Sequence, residues 1–137
     1  MTLVLVRHAR AGSRSEWEGD DRLRPLDGKG LKRAELLVEL LASYPVSRIV
    51  SSPYLRCVQT MEPLAAARGL AVEPFEELGE ELQWERGVAL LRGLAAADAV
   101  ACGHGGIDAA LGFELPFRKG AVWVFERGLE APRLLER

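Results

Sequence analysis

Only two histidines occur in the 137 residues. Each comes directly after a short apolar run. His8 follows Leu3–Val6 through Arg7, and His104 follows Ala99–Cys102 through Gly103. A neutral imidazole is a nucleophile that can take a phosphoryl group and release it to water. Arg7 stands beside the first histidine, and Arg56 falls in the first turn expected after Arg48–Ser51. Guanidinium forks match phosphate oxygens two at a time. Gly103, Gly105 and Gly106 flank His104 and let backbone N–H groups approach an anion closely. Two His and two Arg gathered in one place would form a phosphate pocket, its fixed positive charge stabilising the transferring group.

For these residues to meet, unconnected segments must reach one edge of the molecule. Thr2–Val6 is apolar, rich in β-branched residues and too short for a helix. It reads as a strand buried on both faces, the kind that parallel sheets use. Residues 10–28 carry no period and predict a long loop, a feature that is usually functional in a compact domain. Leu31, Ala34, Leu37, Val38 and Leu41 recur at helical spacing, which predicts a helix over Lys29–Ser43 stopped by Pro45. Arg48–Ser51 reads as a second strand. Ser52 and Pro53 then read as the cap and first turn of a helix to Arg68, with Gly69 as its stop and a kink or break at Pro63.

Further on, Leu70–Val72 reads as a strand, Pro74–Gly87 as an acidic irregular stretch that is part loop and part helix, and Val88–Ala97 as a helix. Ala99–Cys102 is a fourth strand and Ile107–Leu111 a short helix. Ala121–Phe125 is a fifth strand with Trp123 in the core, and Arg133–Leu135 pairs with it. Strands alternating with helices predict an α/β fold around a mainly parallel sheet. Such sheets bind ligands at the carboxyl ends of their strands. His8, Arg56 and His104 all fall there.

Composition sets the outer limits. The chain has 48% hydrophobic and 28% charged residues, which suits one globular domain over residues 1–137 and excludes disorder. A net charge of −2 gives no global pull toward nucleic acid or anionic membrane, so an anion site must be local. Cys57 and Cys102 are too few for a disulfide framework and read as small buried hydrophobes. No apolar stretch approaches a membrane span, and Met1–Val6 lacks the features of a signal segment, so the expected location is cytoplasmic.

Four segments, in order, carry a resemblance. Val6-Arg7-His8-Ala9 resembles the RHG/RHA signature of the histidine phosphatase superfamily, the phosphoglycerate mutase-like proteins. Ser51-Ser52-Pro53-Tyr54-Leu55-Arg56-Cys57-Val58-Gln59-Thr60 resembles its SSPxxRxxQT segment. Gly103-His104-Gly105-Gly106 looks like its second-histidine motif. Arg24-Pro25-Leu26, with Gly30 four residues on, is similar to a stretch of the small SixA-type phosphohistidine phosphatases. The loop and the Arg56 region also resemble the phosphatase-like domain that follows a Nudix domain in some actinobacterial nucleotide hydrolases.

The resemblance implies a three-layer α/β/α sandwich and a phosphatase that needs no cofactor or metal. It makes His8 the nucleophile, Arg7 and Arg56 the phosphate ligands, and His104 a further donor, with Gly105 beside it. For the general acid it points to Glu80 in Leu78-Gly79-Glu80, with Glu77 and Glu81 as alternatives. Such an acid is worth about 10²–10⁴ in rate. Arg10, Arg14, Arg22 and Arg24 are candidates for substrate contacts from the loop. This chain lacks the Asn that many members carry after the nucleophile. It is also too short for the insertions that cover the site in the mutases, which implies an open site.

The expected substrate is a phosphomonoester of a small metabolite or nucleotide, or phosphohistidine on a protein. The acid-rich stretch favours an oxygen ester, because an oxygen leaving group needs a proton more than an imidazole does. Two other classes compete. His8, His104 and Glu80 would suit a metal hydrolase, although Arg7 and Arg56 would repel the cation. The same pocket without a working acid would be a non-catalytic phosphate-binding module.

Overall fold

The structure is a computed structural model and describes residues 1–80 and 84–135. β1 (Leu3–Arg7) is followed by a long connection holding a 3₁₀ turn at Asp21–Leu23. Then come α1 (Gly28–Leu40), β2 (Arg48–Ser51), α2 (Leu55–Arg68) and β3 (Val72–Pro74). A second 3₁₀ turn at Glu76–Leu78 precedes α3 (Trp84–Leu94). β4 (Ala99–Gly103), α4 (Ile107–Leu111), β5 (Val122–Phe125) and β6 (Arg133–Leu135) complete the described chain.

The strands form one sheet in the order β3-β2-β4-β1-β5-β6. β3, β2, β4 and β1 are mutually parallel. β5 runs antiparallel to β1, and β6 antiparallel to β5. The sheet is therefore mixed and mainly parallel, as expected. Side chains of β1 alternate between its two faces, as the strand period requires. Val4 and Val6 pack with Leu37, Leu41, Cys57, Met61 and Leu64 from α1 and α2. Leu3 and Leu5 pack with Leu78, Leu91, Leu94 and Ile107 from the α3 and α4 side. Helices thus cover both faces in three layers, and Leu3–Val6 of β1 are buried between them.

Several boundaries differ from the sequence reading. α2 starts at Leu55, and its cap residue Tyr54 makes no side-chain cap bond, so Ser52 is not the cap. Pro63 does not break α2, which runs on to Arg68 and stops at Gly69 in the left-handed region, φ 65°. β3 lies two residues later than expected, because it pairs in register with β2, Ile49 opposite Val72. α3 runs from Trp84 to Leu94, so the helical part of Pro74–Gly87 is continuous with the helix expected from Val88, and Gly87 lies inside it. Helical propensity loses there to packing, since a Cβ on Gly87 would come within 2.9 Å of the Glu77 carbonyl. Trp123 is fully buried as expected, its indole N–H donating to the Pro116 carbonyl at 2.8 Å.

Candidate active site

Three parallel strands end side by side, and the next residue of each faces the same edge. Arg7 at the end of β1 lies opposite Gly103 on β4, and Ser51 on β2 lies opposite Cys102. The backbone N–H of His8 continues the ladder to the Gly103 carbonyl at 3.0 Å, and that of Ser52 to the Cys102 carbonyl at 2.9 Å. His8, Ser52 and His104 are thereby placed together by sheet register alone. Arg56 comes from the first turn of α2, and its side chain is fully buried.

The two imidazoles meet edge to face, with centroids 5.3 Å apart. His8 Nδ1 lies 2.8 Å from the Ala9 carbonyl. A carbonyl only accepts, so Nδ1 carries the proton and Nε2 keeps its lone pair. Burial, above all, lowers the His8 pKa to about 3. The positive surroundings of His104, Arg56 and Arg7 push the same way, and the bond to Ala9 opposes them. His8 is therefore a neutral imidazole at neutral pH with its nucleophilic nitrogen fixed.

His104 is held by Ser52 Oγ, 2.9 Å from its Nε2, with Cys57 Sγ at 3.5 Å. Tyr54 packs edge-on against the ring at 4.7 Å. Nδ1 of His104 is 3.3 Å from Glu80 Oε2, close enough for attraction but without a hydrogen bond. Arg7 is anchored by one nitrogen on the Phe117 carbonyl at 3.0 Å. Its guanidinium lies over Gly105, where a Cβ would stand 2.7 Å from Arg7 Cζ. Arg56 donates to the Asp21 backbone carbonyl at 2.9 Å, and to Asp21 Oδ2 and Glu80 Oε2 at 3.1 Å each. Arg7 Nε, Arg56 Nε and His104 Nδ1 are all buried without a hydrogen-bond partner. Buried donors left open in this way are unusual. All three belong to residues close enough for their charge to act on His8.

Of the candidate acids, the structure places Glu80 in the site. Its carboxylate touches Arg14, Arg56 and His104. Burial works to raise its pKa, but His104, Arg14 and Arg56 together hold it below its ordinary value. Glu77 makes no ion pair to the site among the described residues, and Glu81 lies outside them. The loop arginines divide. Arg14 reaches Glu80 at 2.8 Å, whereas Arg10 pairs with Asp27 and Arg22 with Glu76. Arg24 is a buried strut rather than a free substrate contact: it binds Asp21 Oδ1 at 2.9 Å and the Gly12 carbonyl.

Sequence reading missed several supports. Thr60 Oγ1 accepts from the Ala9 N–H at 3.0 Å and donates to the Arg56 carbonyl at 2.7 Å, tying the loop after β1 to α2. Gln59 accepts from the Leu26 N–H at 2.8 Å. Gly30 lies against the Arg10 carbonyl, where a Cβ would collide. Asp21, the partner of Arg56, carried no signal beyond its place before Arg24. The loop between α4 and β5 brings Arg118 and Lys119 to the same cleft, of about 750 Å³, with Arg7, His8, Arg14 and Glu80. Nothing in their sequence context marked them.

Known proteins resemble this chain. The family model for the histidine phosphatase superfamily (branch 1) matches residues 3–89. An 8-oxo-(d)GTP phosphatase of Mycolicibacterium smegmatis is 47% identical over 64 residues, 47% of this chain and 20% of that protein. The chain thus spans about a fifth of the length of that curated relative. A tungstate complex of the protein histidine phosphatase SixA superposes with a TM-score of 0.78 at 24% identity, covering 98% of this chain and 94% of the other. A mycobacterial glucosyl-3-phosphoglycerate phosphatase complexed with VO3 gives a TM-score of 0.67 at 19% identity, covering 90% and 91%. The two solved structures share the fold, and the family match covers well over half of the chain. The protein belongs to the histidine phosphatase superfamily.

Proposed function

We propose that this protein is a metal-independent phosphatase that hydrolyses phosphomonoesters of small molecules through a phosphohistidine on His8. One observation carries the reading. A neutral imidazole with its Nδ1 proton tied to Ala9 lies within the field of Arg7, Arg56 and His104, each of which keeps one buried nitrogen without a hydrogen bond. A phosphate on His8 would draw on the charge of these groups.

In the first step the Nε2 lone pair of His8 forms a bond to phosphorus while the bond to the ester oxygen breaks. Arg7, Arg56, His104 and the backbone beside Gly105 stabilise the charge on the other oxygens. Glu80 gives the leaving oxygen its proton. In the free site Glu80 is held ionised by the cations that would hold phosphate. When a phosphate dianion takes those cations, its own charge repels the carboxylate and favours the protonated form. In the second step the Glu80 carboxylate takes a proton from water. The water oxygen bonds to phosphorus, the P–N bond breaks, and orthophosphate leaves with His8 neutral again.

Hydrolysis of p-nitrophenyl phosphate between pH 4 and 9, with EDTA present, tests this for wild type and His8→Ala. Turnover that survives the chelator and vanishes in the variant is expected. Loss of turnover in EDTA would favour a metal site, and inert wild type with tight vanadate binding would favour a non-catalytic module. The second reading is dephosphorylation of phosphohistidine on a protein. It is favoured by the exposed rim of the cleft at Arg10, Ser13 and Arg14, which leaves room for a macromolecular substrate. A phosphohistidine protein turned over faster than any small ester would select it.

A further inference from the structure

The cleft holds more positive charge than one phosphate uses. Its lining includes Arg7, Arg10, Arg14, Arg24, Arg118 and Lys119, against the carboxylates of Asp27 and Glu80. Arg10 is paired with Asp27 at 2.8 Å, Arg14 with Glu80 at 2.8 Å and Arg24 with Asp21 at 2.9 Å. Arg7 belongs to the point where the reacting phosphate would sit. Arg118 and Lys119 remain. Among the described residues their side chains have neither an ion pair nor a hydrogen bond, and both residues are exposed.

These two cations are not on a loose loop. The N–H of Gly120 donates to the carbonyls of both Arg7 and His8, at 3.1 and 2.9 Å, and the Arg7 N–H donates to the Ala121 carbonyl at 3.0 Å. Arg7 also binds the Phe117 carbonyl, and Arg33 holds the Gly120 carbonyl through two nitrogens at 3.1 and 2.9 Å. Gly120 has φ of 82°, and a Cβ there would lie 2.9 Å from Arg33 Cγ. The backbone of Arg118 and Lys119 is thus locked to the backbone of the nucleophile. On their other side the same two residues line a second hollow of about 390 Å³, with Pro116, Ala121, Leu134 and Leu135. A fixed pair of unneutralised cations next to the nucleophile is a binding element for charge, and a chain of net charge −2 has no general reason to leave it there.

We infer that Arg118 and Lys119 form a second anion subsite, and that the substrate is a small molecule carrying at least one further phosphate besides the one transferred. The inference rests on the phosphatase reading for its kinetics but not for its binding. An exposed cation pair of this kind is worth about tenfold or more in affinity when it meets a phosphate with hydrogen bonding.

The test uses the full chain, wild type and Arg118→Ala/Lys119→Ala, at low and high salt. The first arm measures kcat/KM for adenosine 5′-monophosphate, 5′-diphosphate and 5′-triphosphate. Taking each variant-to-wild-type ratio cancels the difference in leaving groups. The double variant is expected to lose about tenfold or more on the longer phosphates, with the monophosphate within about twofold. That selective loss should shrink as salt screens the pair, and Arg118→Lys/Lys119→Arg should largely restore it. Equal ratios for all three substrates overturn the subsite. The second arm titrates orthophosphate and tripolyphosphate into both proteins without turnover. A wild-type preference for tripolyphosphate that disappears in the double variant supports the subsite, and its absence or persistence overturns it. If no ester is hydrolysed the phosphatase reading fails, and this binding arm still decides the subsite.

Discussion

The neutral, buried state of His8 makes the stability of the whole protein depend on pH in a calculable way. In the fold its pKa is about 3, against 6.5 for an unburied imidazole. Between those values the unfolded chain holds a proton that the folded one does not. Stability then rises with pH, because the unfolded state binds more protons. The contribution is complete above pH 6.5 and is lost as pH falls toward 3. Each pH unit in that window is worth about 1.4 kcal/mol, so the step from pH 6.5 to 4.5 removes about 2.7 kcal/mol. The whole span of about 3.5 units would remove close to 5 kcal/mol, a large share of the 5–15 kcal/mol typical of a domain.

His8→Gln keeps a polar side chain of similar size and carries no charge at any pH. Urea unfolding at pH 7.5, 6.5, 5.5 and 4.5 should give a wild-type curve steeper than the variant's by about 1.4 kcal/mol per unit below pH 6.5. All other groups are common to both proteins, so the comparison isolates residue 8. With only two histidines in the chain, the imidazole proton resonances are assigned by the same variant. The His8 resonance should stay at its neutral position down to about pH 4. Parallel stability curves, or a His8 resonance titrating near pH 6.5, would refute the reasoning. So would an acid limb of kcat/KM near pH 6.5 that follows the protonation of His8.

Three further outcomes follow from the same geometry. Glu80→Gln should slow hydrolysis of alkyl phosphates by about 10²–10⁴ and that of p-nitrophenyl phosphate far less, because only the alkoxide needs the proton; equal losses on both would remove Glu80 as the acid. Gly105→Ala places a Cβ 2.7 Å from Arg7 Cζ, so kcat/KM should fall about tenfold or more through a displaced guanidinium, while the urea midpoint hardly moves. Asp21→Asn removes a partly exposed negative charge from beside Arg56, worth about 1 kcal/mol with water screening, so inhibition by orthophosphate should tighten about fivefold. Unchanged or weaker inhibition would mean that Asp21 does not compete for the phosphate position.

The residues read most easily from sequence were those whose placement needs only strand order. His8 and His104 end buried apolar runs, and parallel pairing of β1 with β4 brings them together without help from any loop. Arg56 follows by the same logic from β2. The supports were harder because they act across the chain. Ser52 looked like a helix cap on local grounds, yet its hydroxyl bonds His104, 52 residues away. Thr60 and Gln59 stood inside a matched motif, but only the fold reveals that they hold the Ala9 and Leu26 backbones. Arg24, a candidate substrate contact on sequence grounds, is a buried strut. Arg118 and Lys119 follow the short α4 in a stretch without periodicity, and only the antiparallel return of β5 beside β1 carries them to the cleft.

The same geometry explains why acidic residues stand among the cations of the site. A guanidinium as buried as that of Arg56 would cost several kcal/mol if left without a counter-charge. Asp21 and Glu80 supply that charge from two directions, one from the loop after β1 and one from the stretch before α3. Binding of a phosphate is therefore an exchange of anions on Arg56 rather than the making of a new ion pair. Exchange lowers the affinity for a lone phosphate, because part of the attraction is spent in displacing carboxylates. In the proposed reaction it also links binding to chemistry, since one carboxylate displaced from Arg56 is Glu80, the proposed acid. Selective affinity then has to come from groups that carry no carboxylate in the free protein. Among the described residues lining the cleft, Arg118 and Lys119 meet that condition.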